Sequence, residues 1–512
     1  MFSTLLSCQI LVLAVLVIYT PASCQPNCDR DPDAQVLILG AGLAGLGAAR
    51  KLSERGINDF LILEQRNQVG GRVQSVQFAD TTVQLGPQWV FFVDQSAPER
   101  HPLWPLIQKC NVTLQDAPLF SLPSCYYTSE GENVTESPEV LSALQRYALS
   151  TSPDMVGRVI SGLPDGADLT AAGGLREAGW SPRDPIEESV EYALFEFLTG
   201  RPTDTASYRD LFDPEANAIR FFSYGINTTS YIVTDPYTAI TDCLADEVLT
   251  PNDKRLVLES TVRTVSWGDE CVCVMATKNG EDHEYCAPYA ILTFSVGVLA
   301  NNVVKFLPEL PIGKRLELQR LEMANFLKIY IAFNETFWDT GVDFIYYIDN
   351  VNGREYYPQF TPWGDYYPHK PPILEALLTG DTALRVAYQD LETTKQQIAE
   401  VMRNIYGDKA NDPVDIIMHD FIVNPYFFGD FSSATPGVGV NTFEELNHPL
   451  GHLYLAGEGY IFGLHSTTHG PLEHGSLVAE RVLQAIQGPL TSNYQLKYQS
   501  YKVTLYIIQL AL

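Results

Sequence analysis

The chain has 512 residues, with 62 acidic against 33 basic side chains and a formal charge of −29. That length exceeds one ordinary core, so two domains are expected, and 46% hydrophobic content excludes a disordered chain. So negative a protein repels nucleic acid and draws cations toward it.

Residues 5–19 are almost wholly apolar, and Pro21-Ala22-Ser23-Cys24 follows. The run is shorter than the roughly 20 residues of a membrane span, and its small-residue flank predicts a signal peptide over 1–24. No Lys or Arg precedes it, which leaves an uncleaved anchor as the alternative. The mature chain is expected to be secreted, without a membrane span.

A buried strand is predicted over 35–39, and Gly40, Gly42, Leu43, Ala44 and Gly45 follow it at once in a G-x-G-x-x-G run. Residues 46–55 carry helical spacing, Gly56 stops them, and a second strand over 60–64 ends in Glu64. Strand, glycines, helix, strand and acid together form a Rossmann-type dinucleotide cradle. The glycines admit a pyrophosphate, the helix amino end supplies N–H groups, and the acid binds ribose hydroxyls.

Asn111, Asn133, Asn227 and Asn334 each head a glycosylation sequon. Cys110 and Cys125 bracket a short loop and are a candidate disulfide. Farther on, Asn279-Gly280 predicts a tight hairpin turn that sets Cys273 opposite Cys286. Those two form either a cross-strand disulfide or a pair of buried thiols. Residues 327–333, 344–348 and 355–360 read as strands and 393–406 as a helix. The apolar residues 503–512 are too few to span a bilayer, and docking is favoured for them. No metal-binding or serine-nucleophile pattern is present, and nothing in the sequence sets an oligomeric state.

Three further blocks carry a resemblance: Gly70-Gly71-Arg72, Leu85-Gly86-Pro87-Gln88-Trp89 and, much later, Ala456-Gly457-Glu458. In this order they resemble the flavin-containing amine oxidases, most of all the polyamine oxidase branch. The resemblance implies an α/β FAD-binding domain assembled from 30–110, 235–300 and 440–490. A substrate domain of mixed sheet and helices (α+β) would come from 111–234 and 301–439, leaving 491–512 as a tail. FAD would be held by the glycine run with Glu64, Gly71, Arg72, Gly86, Trp89, Gly457 and Glu458, and by Val262 through backbone groups. The partners would be a small-molecule amine and O2. Oxidation of the amine gives an imine, which hydrolyses to an aldehyde and a shorter amine, and O2 leaves as hydrogen peroxide.

Lys328 matches the family lysine that holds a water beside the flavin, and its apolar strand makes an unpaired ammonium costly. Phe326 and Phe431 are expected to border the substrate among many aromatic residues. At three places the chain departs from polyamine oxidases. Phe91 replaces an acid, Leu198 replaces a second acid for which Glu196 could substitute, and Thr467 stands where a tyrosine walls the flavin. His465 and His469 lie close by, either beside the flavin or as structural histidines. These departures keep two rivals open: an L-amino-acid oxidase with Arg354 clamping the carboxylate, and a flavin-binding module without turnover.

Overall fold

The computed structural model describes residues 26, 28–117, 123–213, 227–351, 353–354 and 356–487. The segments 1–24 and 491–512 lie outside them.

Val36–Leu39 is a run of four branched residues, all buried, which is the pattern of a strand covered on both faces. It is the centre of a five-stranded parallel sheet. Tyr289–Leu292 and then Leu453–Leu455 lie on one side, and Phe60–Leu63 and then Leu256–Val257 on the other. The helix Leu43–Glu54 leaves the first strand through Gly40 and buries its small face against the late helix His469–Gln487, where Gly475 meets Ala44. Five strands from four regions of the chain thus place their carboxyl ends at one edge.

A six-stranded sheet forms the second centre. Its order is Asp415–Met418, Phe326–Ala332, Ile373–Thr379, Gln359–Thr361, Ile345–Ile348 and Cys125–Thr128. Strand alternation divides it. Leu327, Ile329 and Ile331 join a core with residues of the helix Leu391–Tyr406, while Lys328 and Tyr330 face the opposite way. The strand expected over 355–360 begins only at Gln359. Tyr357 adopts φ 47° and Pro358 has no N–H, and both interrupt pairing. Beside this sheet stand the helices Pro138–Ser150, Pro153–Gly162, Ala171–Glu177 and Pro185–Glu191, and a π-helical turn over Tyr192–Glu196.

Val272–Lys278 and Glu281–Ala287 form the hairpin, with Cys273 opposite Cys286 and disulfide-bonded to it. The Cys110–Cys125 pairing is incorrect. Cys110 bonds Cys243, 133 residues away, because the helices Trp104–Lys109 and Thr238–Asp246 pack together. Cys125 is a free thiol, and Cys28 closes a third bridge with Cys271. Peptide mapping under non-reducing conditions is expected to return these three pairs. Cys243→Ser should lower stability by about 2–4 kcal/mol, and an unchanged melting midpoint would show that the bridge is not formed.

Candidate active site

The carboxyl ends of the parallel sheet open into a cavity of about 350 Å³ that runs toward the six-stranded sheet. At its near end lie Gly40, Gly42, Leu43 and Ala44. The helix they start has no side-chain cap and no acid in its first turn, so its N–H groups and positive end face the cavity. Gly40 takes φ 109°, and a Cβ there would overlap Thr293 Oγ1. Glu64 accepts from the N–H groups of Ala41 and Arg66, each at 2.8 Å. Burial still holds its carboxyl above the ordinary range, with those N–H groups offsetting part of the shift.

Midway, Arg72 bridges the two ends of the chain. It pairs with Glu458 Oε1 at 3.0 Å and donates to the Asp430 carbonyl at 2.8 Å. Glu458 also accepts from the Ser432 hydroxyl at 2.6 Å and the Ser466 N–H at 3.2 Å. Burial pushes its carboxyl up, but Arg72 and Ser432 reverse the shift and keep it ionised below its usual value.

Lys328 lines the far end at 5% exposure. Its Nζ donates to the carbonyls of Gln84, at 3.1 Å, and Gly86. Burial lowers its pKa to about 8, against a partial upward pull from Glu375 and Asp430. Asp430 accepts from the Phe326 N–H at 3.1 Å and meets His419 Nε2 at 3.1 Å. Its carboxyl is pushed up to about 8 by burial. His419 Nδ1 accepts from the Phe421 N–H, its Nε2 lies 3.3 Å from the Lys328 backbone nitrogen and 3.1 Å from the Phe326 carbonyl, and burial drives its pKa down to about 3. On the other side, Gln88 Nε2 donates to Glu375 and lies 2.6 Å from the Tyr330 hydroxyl.

The remaining predicted positions fall as follows. Gly71, Gly86, Trp89, Phe91, Leu198, Val262, Phe326, Phe431, Gly457 and Thr467 all line this cavity. So do Trp363, Tyr426 and Phe427 from the aromatic-rich stretches. Gly45 does not line it. A Cβ there would overlap the Gly40 carbonyl, so its small size serves helix-to-strand packing. Glu196 points elsewhere, into an ion pair with Arg354 at 2.6 Å and toward the Thr379 hydroxyl at 3.2 Å. Arg354 is forked between Glu196 and Glu191, the latter at 2.7 Å, and is no carboxylate clamp of this cavity. His465 pairs with Asp210 at 2.8 Å and His469 packs edge-on to His101, both away from the lining. Sequence reasoning passed over Glu375, Asp430 and His419. The signal for Glu375 was present: it is the single charge in the buried strand Ile373–Thr379.

A family model for flavin-containing amine oxidoreductases matches residues 43–483. The chain belongs to that family. It is an FAD-dependent amine oxidase, and the uncapped helix end, Arg72 and the apolar far chamber fit such a cofactor. The oxidase is 28% identical over 454 residues to polyamine oxidase 7 of Oryza sativa subsp. japonica, covering 84% of this chain and 92% of the relative. With polyamine oxidase 1 of Zea mays it shares 28% over 473 residues, covering 88% and 91%. Solved structures share the fold. Wild-type putrescine oxidase bound to putrescine superposes with TM-score 0.69 at 18% identity over 88% of this chain and 99% of that one. Cyclohexylamine oxidase from Brevibacterium oxydans IH-35A gives TM-score 0.68 at 19% identity over 89% and 100%.

Proposed function

We propose that this oxidase is a secreted, polyamine oxidase-like enzyme that oxidises a C–N bond of an amine and releases hydrogen peroxide. The observation that carries the reading is Lys328: a buried amine tied to two backbone carbonyls, at the place where the dinucleotide cradle meets an aromatic chamber. FAD supplies a hydride acceptor at N5 and passes the electrons to O2. In this chain the uncapped helix end and Arg72 would hold its pyrophosphate, Glu64 its ribose, Val262 backbone groups its adenine end, and Glu458 its ribityl side. Phe91, Phe326 and Phe431 exclude water from the reacting carbon, and Lys328 keeps a water in place at its Nζ. Thr467, small and polar, leaves one wall of the chamber open where a tyrosine would close it.

Export is supported by the apolar amino terminus, three disulfides and four sequon asparagines that are all exposed. Among the described residues no helix is long and apolar enough to cross a membrane. Arg354, already neutralised by two carboxylates, gives an amino-acid substrate no anchor. Peroxide release from the purified protein, followed with spermine, N-acetylspermine, monoamines and amino acids, is expected with amines and not with amino acids. A flavin-loaded preparation silent with every amine would replace this reading with a binding module.

A further inference from the structure

Acidic side chains outnumber basic ones in the cavity lining. Six of its residues are ionisable as acid or strong base: Glu64, Glu458, Glu375 and Asp430 against Arg72 and Lys328. Glu64 and Glu458 are accounted for. The first faces the helix start through backbone N–H groups, and the second is locked to Arg72. That leaves the carboxyl groups of Glu375 and Asp430 and one lysine at the aromatic end; burial raises both carboxyls, and the Lys328 ammonium offsets part of the shift. Asp430 is enclosed by backbone and by His419, in the same loop region whose carbonyl Arg72 binds.

Glu375 differs in its setting. It lies opposite Tyr330 across the antiparallel pair, on the same sheet face as Lys328. Thr361, its cross-strand neighbour on the other side, lines the cavity with it, as do Trp363, Leu377 and Phe344. Gln88, which lines the cavity beside it, donates to its carboxylate, and burial leaves Glu375 3% exposed. Among the described residues it forms no ion pair within 4 Å; Lys328 Nζ, bonded to the Gln84 and Gly86 carbonyls, acts on it only through its charge. A third buried polar group shares this face. Gln359, level with Leu377, has no hydrogen-bond partner at either end of its amide. A carboxylate fixed in an aromatic wall attracts a cation through charge and ring faces together.

Resting on the oxidase reading above, we propose that Glu375 is the specificity-determining residue that selects the cationic nitrogen of the substrate. It would do so from the chamber wall, in place of the acids absent at Phe91 and Leu198. Recognition charge then sits deep in the cavity instead of at the positions nearer its rim. The substrate class is a compact amine whose protonated nitrogen reaches the wall formed by Ile373–Thr379. A carboxylate-bearing amine is rejected by the same charge.

Two ligands of one shape test this on the FAD-loaded protein: benzamidine, a cation, and benzamide, its neutral counterpart. Binding is read by perturbation of the flavin absorbance, without turnover. The native enzyme is expected to prefer benzamidine at least tenfold. Glu375→Gln should erase that preference, leave benzamide binding unchanged, and raise KM for amine substrate far more than it lowers kcat. Glu375→Asp, which keeps the charge but withdraws it by one methylene, should reduce the preference at least threefold. It decides the matter if the glutamine variant does not hold FAD. Undiminished preference in a flavin-loaded variant would overturn the role of Glu375. Loss of the flavin spectrum in the native protein would instead overturn the oxidase reading beneath it.

Discussion

Lys328→Met is expected to lower kcat by about 10²–10⁴-fold while FAD stays bound, the range lost when a positioned proton-handling group is removed. Methionine keeps the length and the apolar fit of the side chain but cannot donate to the Gln84 and Gly86 carbonyls. The Gln84 carbonyl keeps the Tyr330 hydroxyl as a donor at 2.8 Å, so the loss falls on the Gly86 carbonyl, and a carbonyl left without a donor costs about 1–3 kcal/mol of stability beside the loss of rate. The pH profile separates the two effects. With a pKa of about 8, Lys328 gives up its proton as pH rises through that value. Turnover that needs its ammonium then falls on the alkaline side, and the variant lacks that limb. An alkaline limb of equal size in Lys328→Met would assign the titration to another group.

Arg72→Ala is expected to yield colourless protein. Two losses coincide in this variant. The pyrophosphate loses its only strongly basic partner among the cavity-lining residues, and Glu458 keeps a buried carboxylate with no cation beside it. Stranding one member of a buried pair costs about 3–5 kcal/mol. The double variant Arg72→Met with Glu458→Gln should recover much of that stability without recovering flavin. Absorbance at flavin wavelengths and a denaturation midpoint measure both. Full flavin content in Arg72→Ala would mean that the guanidinium serves the protein alone.

Local chemistry was legible from the chain. Gly40 to Glu64 form a βαβ unit whose parts are neighbours in sequence, and each part has its own signal. The hairpin register followed from one turn, because two strands joined by Asn279-Gly280 have only one way to pair. Arg72 and Glu458, 386 residues apart, could be associated only through family likeness, since no local pattern links them. Cys110 shows the same limit from the other side. Its partner is set by how two helices meet, which loop length does not encode. Glu196 failed for a different reason. It stands two residues before Leu198, but the π-helical turn aims it at Arg354, and Phe197 and Leu198 reach the cavity instead. Glu375 was passed over because strand periodicity marks a face as inward without saying whether it meets a core or a cavity.

One measurement bears on all of this: the visible absorption spectrum of the folded, purified protein. A cradle built by Gly40–Ala44, Arg72 and Glu458 around a single FAD should give flavin bands at one equivalent per chain, bleached by an amine in the absence of O2. A well-folded protein that is colourless, and stays so after incubation with FAD, would contradict it.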